Sequence, residues 1–219
     1  MRIETPNCIY FNCNTCIVMA LEKEILFELH ITTHDLSAAD VERFIACCVQ
    51  LEAKPMLIEL ARGAYAHQPM LSKVLKVQTL TDAVVAARKM CETLRKNNIA
   101  VRRLKIEIPS ADSHEPVGIG AGFTPYFEWH GKVPYTHPKA LQALCLKHTA
   151  HLSRNALKNE TGTRFVTLRE FGTKETFEGR THQLIQALET EGWPVTKQQS
   201  EYCIYDTNVD LDNGWLSLN

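Results

Sequence analysis

A four-residue sequence that occurs twice, one hundred residues apart, constrains the fold more than any other feature of this chain. Residues 27–30 read FELH and residues 127–130 read FEWH. Apolar and polar residues alternate through both segments, which is typical of a β-strand with one buried face and one polar face. The Glu and the His of each segment therefore share the polar face. The sequence predicts two consecutive copies of one structural unit.

Each unit has the same predicted order of strand, helix, strand, strand, helix and strand. Apolar residues recur at helical spacing in residues 41–49 and 84–94, whereas residues 56–62 and 101–108 alternate as strands do. We predict an α+β fold, a tandem duplication of a ferredoxin-like βαββαβ unit, with two four-stranded antiparallel sheets and helices on one face of each. The predicted segments are an N-terminal cysteine-containing segment (1–23), the first repeat (24–109), a Gly/Pro linker (110–125), the second repeat (126–207) and a C-terminal tail (208–219).

Composition excludes several classes of partner. The chain has 24 Lys and Arg against 25 Asp and Glu, and nucleic acids and anionic membranes select a clustered basic excess that this balance does not indicate. The longest apolar runs are far shorter than the roughly 20 residues that span a bilayer, and residues 1–23 lack a basic region followed by an apolar one. We expect a cytoplasmic protein that binds neither nucleic acid nor membrane, and the oligomeric state stays open.

Three of the eight cysteines have a spacing that suggests a metal. Cys8, Cys13 and Cys16 stand as C-x4-C-x2-C, with Cys47 as a nominal fourth ligand, which is the spacing of a plant-type iron–sulfur loop. Large apolar residues fill this loop, where small residues would be needed to wrap backbone amides around a cluster. The favoured interpretation is an apolar strand whose cysteines behave as small hydrophobic residues.

The polar faces of the predicted strands hold the candidate functional residues. If the two open faces turn toward each other, they form a cleft that suits acid–base chemistry on an anionic molecule, or a divalent metal as a cofactor. The alternative is that an uncovered sheet face is polar simply because it meets water. The candidate catalytic residues are Glu28, His30, Glu128 and His130, and the candidate binding residues are Glu59, Glu107, Lys132, His151, Ser153, Asn155 and Arg169.

One segment resembles the two-histidine phosphoesterases, whose two lobes each carry a His-x-Thr or His-x-Ser motif on a strand. Residues 30–32 (HIT) match that motif. Residues 130–132 (HGK) lack the hydroxyl, although residues 151–153 (HLS) on a neighbouring strand have it. The resemblance implies a hydrolase that acts on a phosphoester or a similar small anionic substrate.

Two other hypotheses stay open. The first is a metal site made from Glu28, His30, Glu128 and His130 with a water nucleophile, because the start of the first repeat resembles the vicinal oxygen chelate modules. Those modules have no helix between their third and fourth strands, whereas a helix is predicted over residues 81–96. The second is a non-catalytic small-molecule-binding or protein-interaction module, in which His130, Lys132 and Arg169 hold an anion without transforming it.

Overall fold

A computed structural model describes residues 24–115, 118–120, 122–158 and 161–214. Cys8, Cys13 and Cys16 lie outside these residues. Within the described residues the strands and α-helices are β1 (Ile25–Thr33), α1 (Ala38–Gln50), β2 (Lys54–Leu60), β3 (His67–Val77), α2 (Leu80–Lys96), β4 (Val101–Pro109), β5 (Tyr126–Pro134), α3 (Pro138–Lys147), β6 (Ala150–Asn155), β7 (Thr163–Glu170), α4 (Lys174–Thr190) and β8 (Lys197–Asp206). A C-terminal 3-10 helix (Val209–Asp212) follows β8.

The eight described strands form one closed antiparallel barrel in the order β1-β3-β2-β6-β7-β5-β8-β4. The prediction of two separate four-stranded sheets with open faces is therefore wrong. The halves join at two seams, where Ile58 of β2 pairs with Asn155 of β6 and Lys105 of β4 pairs with Asp206 of β8. Two open sheets would leave the backbone groups of their edge strands exposed. Closure of the barrel joins the edge strands of both halves, so those groups are paired.

The apolar core lies outside the barrel, between the strands and the helices. Phe27, Leu29 and Ile31 of β1 are fully buried in a cluster that includes residues of α1 and α2. Trp129 and Val133 of β5 are fully buried in a second cluster that includes residues of α3 and α4. Because side chains alternate along a strand, burying these residues under the helices directs the polar residues between them into the barrel.

The helices begin at hydrogen-bonding caps and contribute small hydrophobic residues to the core. The Ser37 and Thr79 hydroxyls accept hydrogen bonds from the third backbone N–H beyond them, which caps α1 and α2. The cysteines of α1, α2 and α3 are buried, namely Cys47, Cys48, Cys91 and Cys145. None of the helices that the structure describes is long and apolar enough to cross a bilayer.

The indole of Trp129 covers Gly131 two residues further along β5, and this contact gives a testable prediction. A Cβ atom at Gly131 would overlap the indole ring of Trp129. We expect Gly131→Ala to lower the free energy of unfolding by about 1–3 kcal/mol, because the ring must move out of a closely packed core. Urea unfolding monitored by circular dichroism measures this change.

The matched control is Gly179→Ala in α4, where an added Cβ would have no heavy atom within 4 Å apart from the adjacent residues and the backbone of its own helix. That change should stabilise the protein by up to about 1 kcal/mol, because Ala favours a helix more than Gly does. A Gly131→Ala protein as stable as the Gly179→Ala protein would contradict the assigned packing of Trp129.

Candidate functional site

The barrel encloses a cavity of about 260 Å³ that is lined by residues from all eight strands. Most of the predicted site residues lie here, including all four candidate catalytic residues. Those that line the cavity are Glu28, His30, Glu128, His130, Lys132, Ser153, Asn155 and Arg169. Glu107 is fully buried in the barrel beside His30.

Two other predicted site residues do not line the cavity. Glu59 is directed away from the cavity, because its neighbours Ile58 and Leu60 line the cavity, and its carboxylate accepts a hydrogen bond from Arg154. His151 lines a separate small pocket and its Nδ1 lies 2.9 Å from Nη2 of Arg62. Burial and the nearby charge of Arg62 lower the pKa of His151 to about 4.

Among the described residues, eleven acidic, basic and histidine side chains inside the barrel contact one another, and we call them the charge network. It contains six carboxylates, three Arg and Lys cations and two histidines. Its members are Glu28, His30, Arg103, Lys105, Glu107, Glu128, His130, Arg169, Glu201, Asp206 and Asp212.

Glu128 lies at the centre of the charge network. Its Oε2 accepts a hydrogen bond from Nζ of Lys105 at 2.7 Å, and its Oε1 accepts one from Nε of Arg169, also at 2.7 Å. Burial alone would raise the pKa of the Glu128 carboxyl, but these two cations hold it well below its usual range. Glu128 is therefore an ionised structural anion whose two oxygens are already engaged.

His30 links the carboxylates of β1 and β4. Its Nε2 lies 3.0 Å from Oε2 of Glu107 and 3.6 Å from Oε1 of Glu28. Burial raises the pKa of Glu28, but the charge of His30 and hydrogen bonds from Ser72 and Gln199 lower it to about 2. Glu28 is thus an ionised carboxylate, and with a quarter of its side chain exposed it is reachable from the cavity.

His130 occupies the corresponding place on β5. Its Nε2 lies 3.3 Å from Oε2 of Glu201 and 3.5 Å from Oε2 of Glu128, and its Nδ1 lies 2.9 Å from the Thr167 hydroxyl. Burial opposes protonation, but the two carboxylates raise the pKa of His130 to about 10. Burial and the charge of Glu107 raise the pKa of Glu201. The site therefore holds a histidine that favours its charged form beside a carboxyl that resists ionisation.

The C-terminal 3-10 helix closes one end of the barrel. Oδ2 of Asp212 accepts a hydrogen bond from Nη2 of Arg169 at 2.8 Å and lies 3.0 Å from Nη1 of Arg103. The Leu211 carbonyl accepts a hydrogen bond from the Gln68 amide. This short helix therefore serves as a plug, fixed to the barrel interior by two buried arginines.

The other end of the barrel is the open mouth of the cavity and is basic. Antiparallel pairing brings the starts of β2 and β8 and the ends of β5 and β6 to this end. Four lysines line the cavity here, namely Lys54, Lys132, Lys158 and Lys197. A molecule that enters the cavity must pass them, so their charge favours anions.

One wall of the cavity is apolar. It comprises Met56, Ile58, Leu60, Met70 and Phe165, on β2, β3 and β7. The strands β1, β4, β5 and β8 carry most of the charge network on the opposite wall. The cavity can therefore hold an apolar group on one side and polar groups on the other, which is the usual composition of a ligand pocket.

Sequence reasoning missed several residues of the site. Glu201 and Gln199 lie in the first half of β8, which begins at Lys197, and they were not among the predicted site residues. Arg103 shares its strand parity with Lys105 and Glu107, and that pattern could have placed it inside. Asp212 belongs to the C-terminal tail, whose position no local pattern indicates.

The fold and the cavity together define a single-chain α+β barrel with an ionised interior. No family model matches this sequence. No curated protein matches it either.

Several solved structures are similar in part. Protein BT0572 from Bacteroides thetaiotaomicron is 10% identical, with 78% of this chain and 92% of that one covered and a TM-score of 0.28. A mutant chlorite dismutase from Candidatus Nitrospira defluvii in complex with cyanide is 14% identical, with 81% and 90% covered and a TM-score of 0.29. A heme-binding protein from Thermus thermophilus is 10% identical, with 83% and 91% covered and a TM-score of 0.27. At these scores the likenesses carry no argument about what this chain binds.

Proposed function

We propose that this protein binds one small organic anion inside the barrel, with the anionic group at the lysine-lined mouth and an apolar part along the wall of β2 and β3. The observation that carries this proposal is a cavity with one plugged end, one basic mouth and one apolar wall. Its volume of about 260 Å³ is just below the range of about 300–1,000 Å³ that is usual for drug-sized ligands. The ligand is therefore a small metabolite-sized molecule.

Binding without reaction is favoured over hydrolysis of a phosphoester. In a two-histidine phosphoesterase both histidines must approach the phosphate. Here Nε2 of His30 and Nε2 of His130 each face two carboxylates, at 3.0–3.6 Å. Those carboxylates would repel a phosphoryl group at the same place, whereas an anionic group at the mouth lies among lysines.

The test uses naphthalene-2-sulfonate, which combines a flat apolar body with one negative charge. We expect isothermal titration calorimetry to give one site per chain, and 2-naphthol, which lacks the charge, to bind at least tenfold more weakly. The Lys54→Gln/Lys197→Gln protein should also bind the sulfonate at least about tenfold more weakly, because one lost contact to a charged group is worth about 1.5–3 kcal/mol.

The matched control is the Lys89→Gln/Lys96→Gln protein, which removes two exposed lysines of α2 and should bind the sulfonate as the wild type does. Ile58→Trp, which fills the cavity from its apolar wall, should abolish binding. Equal affinity in all these proteins would show that the sulfonate binds outside the barrel and would overturn the proposal.

A further inference from the structure

Three possible metal ligands converge inside the barrel. Glu28 and His30 of β1 and Glu201 of β8 each offer one ligand atom, and these atoms lie within 4.8 Å of one another. Metal–ligand bonds of about 2.0–2.2 Å place the ligands of one ion roughly 3–4 Å apart. Small side-chain rotations would therefore bring all three atoms into coordination distance.

Gln199 holds the two carboxylates of this group in place. Its side-chain amide donates hydrogen bonds to Oε2 of Glu28 at 3.0 Å and to Oε1 of Glu201 at 2.7 Å. Hydrogen bonds from a neighbouring side chain to metal ligands orient those ligands and contribute to the affinity of the site for the metal. Oε1 of Glu28 also accepts a hydrogen bond from Ser72, and Oε2 of Glu201 lies 3.3 Å from Nε2 of His130. Each of these oxygens has a second lone pair that a cation can use.

The neighbouring carboxylate of Glu107 is an independent sign that a cation fits here. Its side chain is fully buried, and Oε2 faces His30 at 3.0 Å. Although Lys105 lies 2.8 Å from Oε1, neither oxygen has a hydrogen bond of good geometry from the described residues. Lys105 and His30 compensate part of the charge of this buried carboxylate, and a positive ion beside His30 would compensate more of it.

Of the other two residues in the metal site considered from the sequence, Glu128 is engaged elsewhere and His130 lies 3.3 Å from Oε2 of Glu201. Glu128 already accepts hydrogen bonds from Lys105 and Arg169. The charge network has six carboxylates against the three cations Arg103, Lys105 and Arg169. Its acidic groups therefore outnumber its Arg and Lys side chains, which favours a further cation in the cavity wall.

We propose that Glu28, His30 and Glu201 bind one divalent transition-metal ion in the wall of the cavity, with Glu107 beside it. One imidazole and two carboxylates are ligands that both Zn²⁺ and Mn²⁺ accept. The imidazole of His30 would coordinate the ion in its neutral form, as histidine ligands do. The site does not depend on the organic anion proposed above.

The test titrates Zn²⁺ and Mn²⁺ separately into protein that has been dialysed against EDTA and then into chelator-free buffer. We expect calorimetry to show one ion per chain. His30→Gln and Glu28→Gln should each weaken that binding at least about 100-fold, because changing even an outer partner of a metal ligand costs 10–100-fold in affinity. Circular dichroism of each variant verifies the fold, and Glu28→Gln is the milder change because this side chain is partly exposed.

The matched control is His182→Gln, which removes an exposed histidine of α4 and should leave ion binding unchanged. The Lys54→Gln/Lys197→Gln protein should also bind the ion normally, so the failure of one proposal does not imply the failure of the other. In the wild type, Mn²⁺ should broaden the side-chain amide NMR signals of Gln199 but not those of the exposed Gln183. Absence of stoichiometric binding, binding that survives both ligand substitutions, or equal broadening of both signals would overturn the proposal.

Discussion

The Glu128→Gln protein is expected to lose about 3–5 kcal/mol of its free energy of unfolding at neutral pH. Glu128 is almost fully buried and accepts hydrogen bonds from both Lys105 and Arg169. The glutamine has nearly the same shape but no charge, so two buried cations lose their shared anion. Removal of one partner of a buried ion pair lowers the free energy of unfolding by about 3–5 kcal/mol, because the remaining charge stays buried and uncompensated. Urea unfolding at pH 7 measures the loss.

The control for this prediction is Glu59→Gln on the outside of the barrel. Glu59 pairs with Arg154, and more than a quarter of each side chain is exposed to water. Solvent screens such a pair, so its loss should cost less than about 1 kcal/mol. If Glu128→Gln is no more damaging than Glu59→Gln, the charge network does not depend on Glu128 for its stability.

Asp212→Asn should destabilise the protein by about 3 kcal/mol and release the plug. Asp212 is buried between Arg103 and Arg169 and is the acidic residue through which the C-terminal 3-10 helix binds to the barrel interior. Without the negative charge of Asp212, the positive charges of the two buried arginines are less well compensated. Hydrogen exchange should therefore become faster at the amides of residues 209–213, and urea unfolding should report the lower stability.

The neighbouring Asp210→Asn provides a matched control in the same short helix. Asp210 is exposed and accepts a hydrogen bond only from the Asn213 side chain among the described contacts of its carboxylate. We expect a change within about 0.5 kcal/mol and unchanged exchange rates, as for most surface substitutions. Equal effects of the two substitutions would mean that the buried arginines do not hold the plug.

Alternation along the strands was enough to predict much of the site. The pattern of β1 and β5 is strict, so Glu28, His30, Glu128 and His130 could be assigned to one side of the sheet from the sequence alone. Glu59 was assigned wrongly because a polar residue was expected to face the cavity. In β2 the cavity wall is apolar, and Ile58 and Leu60 face inward instead.

Closure of the barrel could not be predicted, because it depends on pairing between residues far apart in the sequence. No local pattern indicates that β2 pairs with β6 or β4 with β8. Glu201 was missed for a related reason. Residues 197–201 (KQQSE) are polar throughout, so their sequence alone does not indicate a strand. Their pairing with β5 makes them part of β8.

The closed barrel also limits how this protein can contact other proteins. Each of the eight described strands has a neighbour on both sides, so none of them offers an unpaired edge to which a strand of another chain could add. The described part of the chain can therefore meet a protein partner only through side chains, which lie on its helices, its loops, the exposed outer faces of its strands and the two ends of the barrel. Recognition by those surfaces depends on side-chain shape and charge rather than on shared backbone hydrogen bonds, which allows strict selection of the partner.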